Sequence, residues 1–324
     1  MLQFSNFSFD PSIEQVLGAL TRGASLYLAD DDILQSDLII DFLAKHEITF
    51  LNTSPKFAES IFPTIFNEQK VVDCLKLKTL LVGGEAVNLE FCLNWATSLL
   101  SNACNLLNAY GPTEATITST IYKIPGNFKN TQIPIGKPFK GTKVFIVDTA
   151  GNLVTNGSKG ELYISGTRLA KGYLGLTDQT NAQFVYPDFA NGEKCYKTGD
   201  LTSWSEDGNL LFHGRVDKQL KIRGFRIEPA EIESVIDHAE GVNESRVLPH
   251  EISTGTQLVA FIKPSNKITI EGLKDALSQK LPAYMIPSHF EILEEFPLNF
   301  NGKVADDVLL KDFVKNKQQS DYQA

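Results

Sequence analysis

The sequence is poor in the features that would place it in several large classes. Its four cysteines, Cys74, Cys92, Cys104 and Cys195, fall in no Cys-x-x-Cys or Cys/His spacing. That argues against a thiolate metal site or a disulfide framework and predicts reduced thiols in a reducing compartment. No block of Lys and Arg stands out, and 30 basic against 39 acidic residues leave a net charge of −9. Nucleic acid and anionic membrane surfaces are therefore not expected partners. No apolar run approaches the length a bilayer requires, and the opening "MLQFSNFSFD" lacks the basic start of a signal peptide; the expectation is a cytoplasmic protein. There are no internal repeats and no low-complexity segment. What is there is 324 residues, 42% of them hydrophobic, enough to bury a sizeable core in two or three domains.

Three textures follow one another along the chain. Over residues 1–130 helix-like and strand-like stretches alternate: "SIEQVLGALTRG", "ASLYLA", "DLIIDFLAKHE", "ITFLNT", "LKTLLVGG", "NLEFCLNWATSLL" and "CNLLNAYG". In the first, Ile13, Val16, Leu17 and Leu20 share one helical face, which predicts an amphipathic helix capped by Ser12 and stopped by Gly23. Alternation of this kind predicts a helix-covered parallel sheet with ligands at the carboxyl ends of its strands. Two of those strands break there into turn chemistry, at Gly83-Gly84 and Gly111-Pro112. Over 131–216, short strands separated by "TAGN", "TNGSKG" and "SEDGN" predict hairpins and a small antiparallel β-barrel, with no helix of any length required. From 217 to 324 the pattern is α+β. It comprises strand-like "KQLKIRGFRI", a helix "PAEIESVIDHAEG" beginning at Pro229, two strands, a helix "IEGLKDALSQKL" and a polar tail. The fold class expected is thus α/β and α+β multidomain, with a boundary at Asp217-Lys218.

The turn after "CNLLNAYG" brings a hydroxyl, Thr113, and a carboxylate, Glu114, to a strand end. By themselves these two residues could simply cap the next element. However, "NAYGPTEATI", "GELYISGTRLAKGYL", "YKTGDL", "GRVDKQLKIRGFRIEPAEIE", "LPAYMIP" and "NGKV" occur in this order over residues 108–304. Together they closely resemble the later core motifs of adenylation domains from nonribosomal peptide synthetases, in the adenylate-forming superfamily that also holds acyl-CoA synthetases and luciferases. "FSFDPSIEQVLGAL" resembles that family's substrate-pocket helix, so the resemblance covers nearly the whole chain. It implies that Asn108 and Tyr110 contact adenine, that Thr113 contacts phosphate, and that Glu114 helps hold Mg²⁺, a cation that prefers hard oxygen ligands. It further implies that Asp200 binds both ribose hydroxyls, that Phe212 lies against adenine, and that Arg215 lies near ribose and phosphate. Without the motif, Phe212 reads as barrel core. The same resemblance makes Asp217, with Lys218, the hinge of a mobile C-terminal domain. It makes Lys303 the cation that stabilises charge developing in an in-line displacement, where sequence alone suggests a solvated lysine in an Asn-Gly turn.

The matched pocket positions are Asp10, Pro11, Glu14, Asn52, Leu81, Gly83, Ala109, Ile117 and Thr118. Asp10 matches the aspartate that pairs with a substrate α-ammonium, which favours an α-amino acid. Glu14 would be a carboxylate among small and apolar groups, costly unless a cation answers it; the combination resembles pockets for ornithine-type residues, including N-hydroxylated ones of the kind siderophores contain. The other reading of Glu14 is that it points from its helix into solvent. The activity implied is formation of aminoacyl-AMP from ATP and transfer of the acyl group to the phosphopantetheine thiol of a peptidyl carrier protein domain, beside a condensation domain.

The family's upstream Ser/Thr/Gly-rich phosphate loop ending in Lys-Gly has no counterpart ahead of these motifs. "ISGTRLAKG" imitates it but belongs to the barrel motif. Nor does a segment after Lys303 resemble a carrier's modified serine. The expectation is a fragment, cut from a multidomain synthetase or encoded by a broken gene and inactive by itself. Two alternatives stand beside it: a fatty-acyl or aryl-acid ligase of the same superfamily, and a catalytically dead module that only binds.

Overall fold

The computed structural model describes residues 1–28, 36–216, 219–222, 225–252, 255–297 and 304–321. The chain divides into two units, Met1–Asp217 and Lys218–Ala324.

In the first unit, β1 (Leu2–Gln3) pairs in parallel with β2 (Tyr27–Leu28), forming a two-stranded sheet of their own around helix α1 (Pro11–Leu20). Helix α2 (Ser36–Lys45) leads to β3 (Phe50–Thr53), followed by α3 (Pro55–Ile61), α4 (Gln69–Cys74), β4 (Thr79–Gly83), α5 (Leu89–Ala96) and β5 (Asn105–Tyr110). Strands β3, β4 and β5 are parallel neighbours, as the alternation predicts. Their Leu51, Leu80, Val82 and Leu106 alternate onto one face, where they are buried with Phe62, Phe66, Phe91 and Trp95 from the helical side.

The α/β part and the antiparallel part are one hydrogen-bonded sheet. Strand β6 (Thr120–Lys123) adds antiparallel to β5, and β7 (Pro134–Pro138) to β6. The antiparallel set comprises β8 (Thr142–Val147), β9 (Gly160–Gly166), β10 (Phe184–Val185), β11 (Cys195–Trp204) and β12 (Leu210–Arg215), with only the short helix α6 (Thr177–Gln183) among them. The ladder continues β7-β12-β11-β9-β8, and β10 joins β11. Tyr110, Ile135, Ile146, Leu162, Ile164 and Leu210 form its apolar centre.

The second unit opens on a hairpin of β13 (Leu220–Ile222) and β14 (Phe225–Ile227), then α7 (Pro229–Asp237) with Pro229 in its first turn. A three-stranded sheet follows, made of β15 (Val242–Ile252), β16 (Gly255–Pro264) and β17 (His289–Ile292), with α8 (Ile270–Ser278) between the last two. Alternate residues of β16 serve two cores. Leu258, Ala260 and Ile262 meet α7 and α8 through Ile232, Ile236, Leu273 and Leu277. Val259 and Phe261 meet Phe296, Leu309 and Phe313. The last two stand four apart on α9 (Asp306–Asp321), so the segment expected to be a polar tail is a helix with one apolar stripe.

Helix α1 also corrects the sequence reading. Its N-cap is Asp10, not Ser12, which is fully buried in the first turn. The predicted core face points outward, with Ile13, Leu17 and Leu20 at 53%, 54% and 60% exposure, while Gln15 is at 0%. Periodicity finds the stripe but not its direction. Here the inward side is polar because Gln15 satisfies all its atoms: its Oε1 accepts from the backbone of Phe4 and Ser5, and its Nε2 donates to Ser5 Oγ and to the carbonyl of Asn52. The four cysteines are free, Cys74 exposed and the others buried. Burial pushes the Cys92 and Cys104 thiols up to about 12, which keeps them unreactive. Among the described residues no helix is long and apolar enough to cross a membrane.

Candidate active site

Three local devices at the carboxyl end of the parallel strands build the site. The first is the turn after β5. Tyr110 is followed by Gly111-Pro112, a 3-10 turn over Thr113–Ala115, and a return in which the Ser119 amide donates to the Tyr110 carbonyl at 2.8 Å. A Cβ on Gly111 would lie 2.1 Å from the Ile117 carbonyl oxygen, so only glycine permits the fold-back. Thr116 and Ile117 have φ of 61° and 68°, a strained region for β-branched residues of the sort that collects at functional sites.

Glu114 does not cap this turn. It is buried, 6% exposed, and its Oε1 accepts a 2.6 Å hydrogen bond from the Tyr173 hydroxyl, while its backbone carbonyl accepts from the Ala170 amide at 2.8 Å. Thr116 Oγ1 donates to the carbonyl of Arg168. Residues 168–173 therefore lie across the turn. Sequence reasoning left Arg168 and Tyr173 out of the site, although both fall inside the quoted "GELYISGTRLAKGYL". Thr113 is exposed.

The second device is a β-bulge. The register of β11 shifts against β9 between Lys197 and Leu201, and against β12 between Asp200 and Thr202. Gly199 sits in it with φ of 71°. Such bulges re-aim a side chain, and here the side chain is Asp200, 2% exposed. Its Oδ2 accepts from the Tyr110 hydroxyl at 2.5 Å, and its Oδ1 pairs with Arg215 Nη1 at 2.5 Å. Arg215 also donates from Nη2 to the Thr198 carbonyl at 3.0 Å. Burial first, and then the Asp200 charge, push the Tyr110 phenol well above its ordinary range, so it stays a donor. Phe212 packs against the apolar cluster that contains Tyr110 and Leu210. Asn108 faces the same way as Tyr110 along β5, and its Nδ2 donates to the Pro134 carbonyl on β7 at 2.8 Å.

The third is the pocket on the opposite face of the parallel strands. Asn52 pairs with Leu81, and Gly83, two residues on, pairs with Ala109, so all four share that face. Helix α1 lies over it, starting from Asp10 and Pro11. Glu14 does not point to solvent: its Oε2 accepts from Asn52 Nδ2 at 3.0 Å and from Thr118 Oγ1 at 3.3 Å. Ile117, partly buried, precedes Thr118. Burial raises the Glu14 pKa, the two hydrogen bonds lower it, the Asp10 charge raises it again, and the Arg168 guanidinium lowers it. The structure thus assembles Glu14, Asn52 and Thr118, and separately Tyr110, Asp200 and Arg215. Asp217, Lys218 and Lys303 lie outside the described residues.

These residues suit a nucleotide and a divalent cation. A buried carboxylate reaching two donors at once, as Asp200 does, is equally suited to a pair of ribose hydroxyls. Among the described residues no group of three or more His, Cys, Asp or Glu side chains could hold an ion alone. A cation at Glu114 would take its remaining oxygen ligands from phosphate and water, the usual arrangement for Mg²⁺.

The chain that carries this strained turn, bulge-presented aspartate and pocket belongs to the AMP-binding enzyme family. Residues 1–174 match that family's model and residues 231–303 match its C-terminal domain. Within it, the chain is similar to the adenylation domains of nonribosomal peptide synthetases. It is 39% identical over 310 residues to bacitracin synthase 1 of Bacillus licheniformis, covering 94% of this chain and 6% of that protein. It is 36% identical over 323 residues to tyrocidine synthase 1 of Brevibacillus parabrevis, covering 98% and 28%. The solved structure of holo-PA1221, an NRPS protein containing adenylation and PCP domains bound to a vinylsulfonamide inhibitor, aligns with TM-score 0.81 at 26% identity, over 96% of this chain and 53% of that one. The chain therefore spans about half the length of that solved relative and a small part of the synthases.

Proposed function

We propose that this chain is the amino-acid-activating part of a nonribosomal peptide synthetase, and that its substrate carries a cationic side chain of the ornithine type. The observation that supports the substrate class is the inward placement of Glu14, bonded to Asn52 and Thr118 at the pocket face. Asp10, at the start of the same helix, answers the substrate α-ammonium; Glu14 answers the second positive charge. Tyr110 and Phe212 flank adenine, Asp200 holds the ribose hydroxyls, Arg215 lies by the phosphates, and Thr113 and Glu114 serve phosphate and Mg²⁺. Lys303 stabilises charge as the substrate carboxylate displaces pyrophosphate. The acyl group then passes to a phosphopantetheine thiol on a carrier domain, with a condensation domain as the next partner.

Among the described residues no Ser/Thr/Gly-rich phosphate loop stands in a strand–loop–helix setting. As an isolated polypeptide, residues 1–324 should not catalyse ATP–pyrophosphate exchange above a Lys303→Ala control. Supplied upstream with such a loop from an AMP-binding relative, they should exchange with ornithine, N-hydroxyornithine or lysine in preference to leucine or phenylalanine. A half-buried carboxylate left without its cation should disfavour neutral isosteres. A preference for leucine or phenylalanine would remove the cationic assignment and leave amino-acid activation; exchange with fatty or aryl acids alone would remove both.

A further inference from the structure

We propose that Tyr173 is a positioning residue that holds the Glu114 carboxylate ready for a divalent cation; this rests on the reading of Glu114 as a metal ligand. The geometry is specific. Tyr173 donates its hydroxyl to one carboxylate oxygen of Glu114 at 2.6 Å. A hydrogen bond of this kind fixes the rotation of a carboxyl group, the usual task of an outer-sphere partner.

Tyr173 is itself held from several sides. Its backbone amide donates to Thr180 Oγ1 at 2.9 Å, and its ring meets Phe184 edge-on with centroids 5.7 Å apart. Just before it, Lys194 Nζ donates to the Ala170 carbonyl at 2.8 Å and stands 5.1 Å from the Phe184 ring centroid. Ala170 returns its amide to the Glu114 carbonyl, and Arg168 accepts from Thr116. The strand-free segment 168–173 is thus bound at both ends to the Thr113–Ala115 turn and to the sheet behind it. Packing alone would not need a phenol at this place, since phenylalanine would make the same ring contact with Phe184. The hydroxyl donates to Glu114.

The experiment is a titration of Mn²⁺ with ATP on the full chain, followed by the relaxation enhancement of water protons, for wild type, Tyr173→Phe and Glu114→Gln. Affinity for ATP without metal is measured alongside. Tyr173→Phe should weaken Mn²⁺ binding in the ternary complex on the order of tenfold, leave metal-free ATP binding unchanged, and resemble Glu114→Gln in kind. Wild-type Mn²⁺ affinity in Tyr173→Phe, with a loss in Glu114→Gln, would overturn the role of Tyr173 alone. No loss in Glu114→Gln, or no metal-dependent gain in the wild type, would overturn the metal reading of Glu114 and the present inference with it.

Discussion

At Glu14, desolvation raises the carboxyl pKa above its ordinary 4.5, and the Asp10 charge opposes ionisation further, only in part offset by Thr118, Asn52 and Arg168. The sign of the consequence follows from proton linkage. A folded-state pKa above the unfolded one means the native state binds the proton more tightly, so stability falls as pH rises from 4.5 through the raised value. Glu14→Gln should therefore melt at a higher temperature than wild type at pH 7, with the difference fading below pH 4.5; thermal melts at the two pH values test this. The same substitution should reduce exchange with ornithine-like substrates far more than with neutral ones. Asp10→Ala should damage activation of every amino acid. A residue that costs stability and confers selectivity is the common trade at binding sites. The type and place of Glu14 were legible in the sequence, but its direction was not. Whether a helical glutamate points inward depends on what α1 packs against, here Asn52 from β3 and Thr118 beyond β5, residues 38 and 104 positions away.

Among the elements, α1 shows how hydrophobic periodicity can be read and still mislead. Its buried side is organised by Gln15, whose four hydrogen bonds bind the start of the chain and β3 together. Gln15→Ala would leave buried amides and a carbonyl without partners, at a cost of about 2–4 kcal/mol, measurable as a lower urea midpoint. The turn after β5 was visible beforehand as Gly-Pro, because glycine is demanded there by conformation, whereas the bulge of β11 at Gly199-Asp200 became apparent only from the strand register. Gly111→Ala should disturb the Thr113–Glu114 turn and weaken ATP binding, since the added methyl has nowhere to go against the Ile117 carbonyl. Helix α9 was missed for a simpler reason: its apolar stripe is thin, and a need to cover Val259 and Phe261 is apparent only once β16 lies between two cores.

For the whole molecule, the role proposed for Lys303 predicts a separation of the two half-reactions. In the chain supplied with an upstream phosphate loop, Lys303→Ala should abolish adenylate formation, by on the order of 100-fold or more, yet leave much of the ATP affinity and spare transfer of a preformed adenylate to a carrier. Single-turnover assays of each half-reaction test this. An equal loss in both halves for Lys303→Ala would refute its assignment to charge stabilisation alone.

By itself the amino-acid sequence determined the alternation that becomes β3, β4 and β5, the switch to antiparallel strands, the boundary texture near Asp217, and which residue types stand at strand ends. These are local properties, set by periodicity, turn conformation and short-range spacing. Only the tertiary structure decided that Glu14 meets Asn52 and Thr118, that Asp200 is shared by Tyr110 and Arg215, that Tyr173 reaches Glu114, and that α1 turns its apolar stripe outward. The physical reason is the same in each case. These contacts join positions far apart in the chain, and their energies depend on burial and on partners that no local window contains.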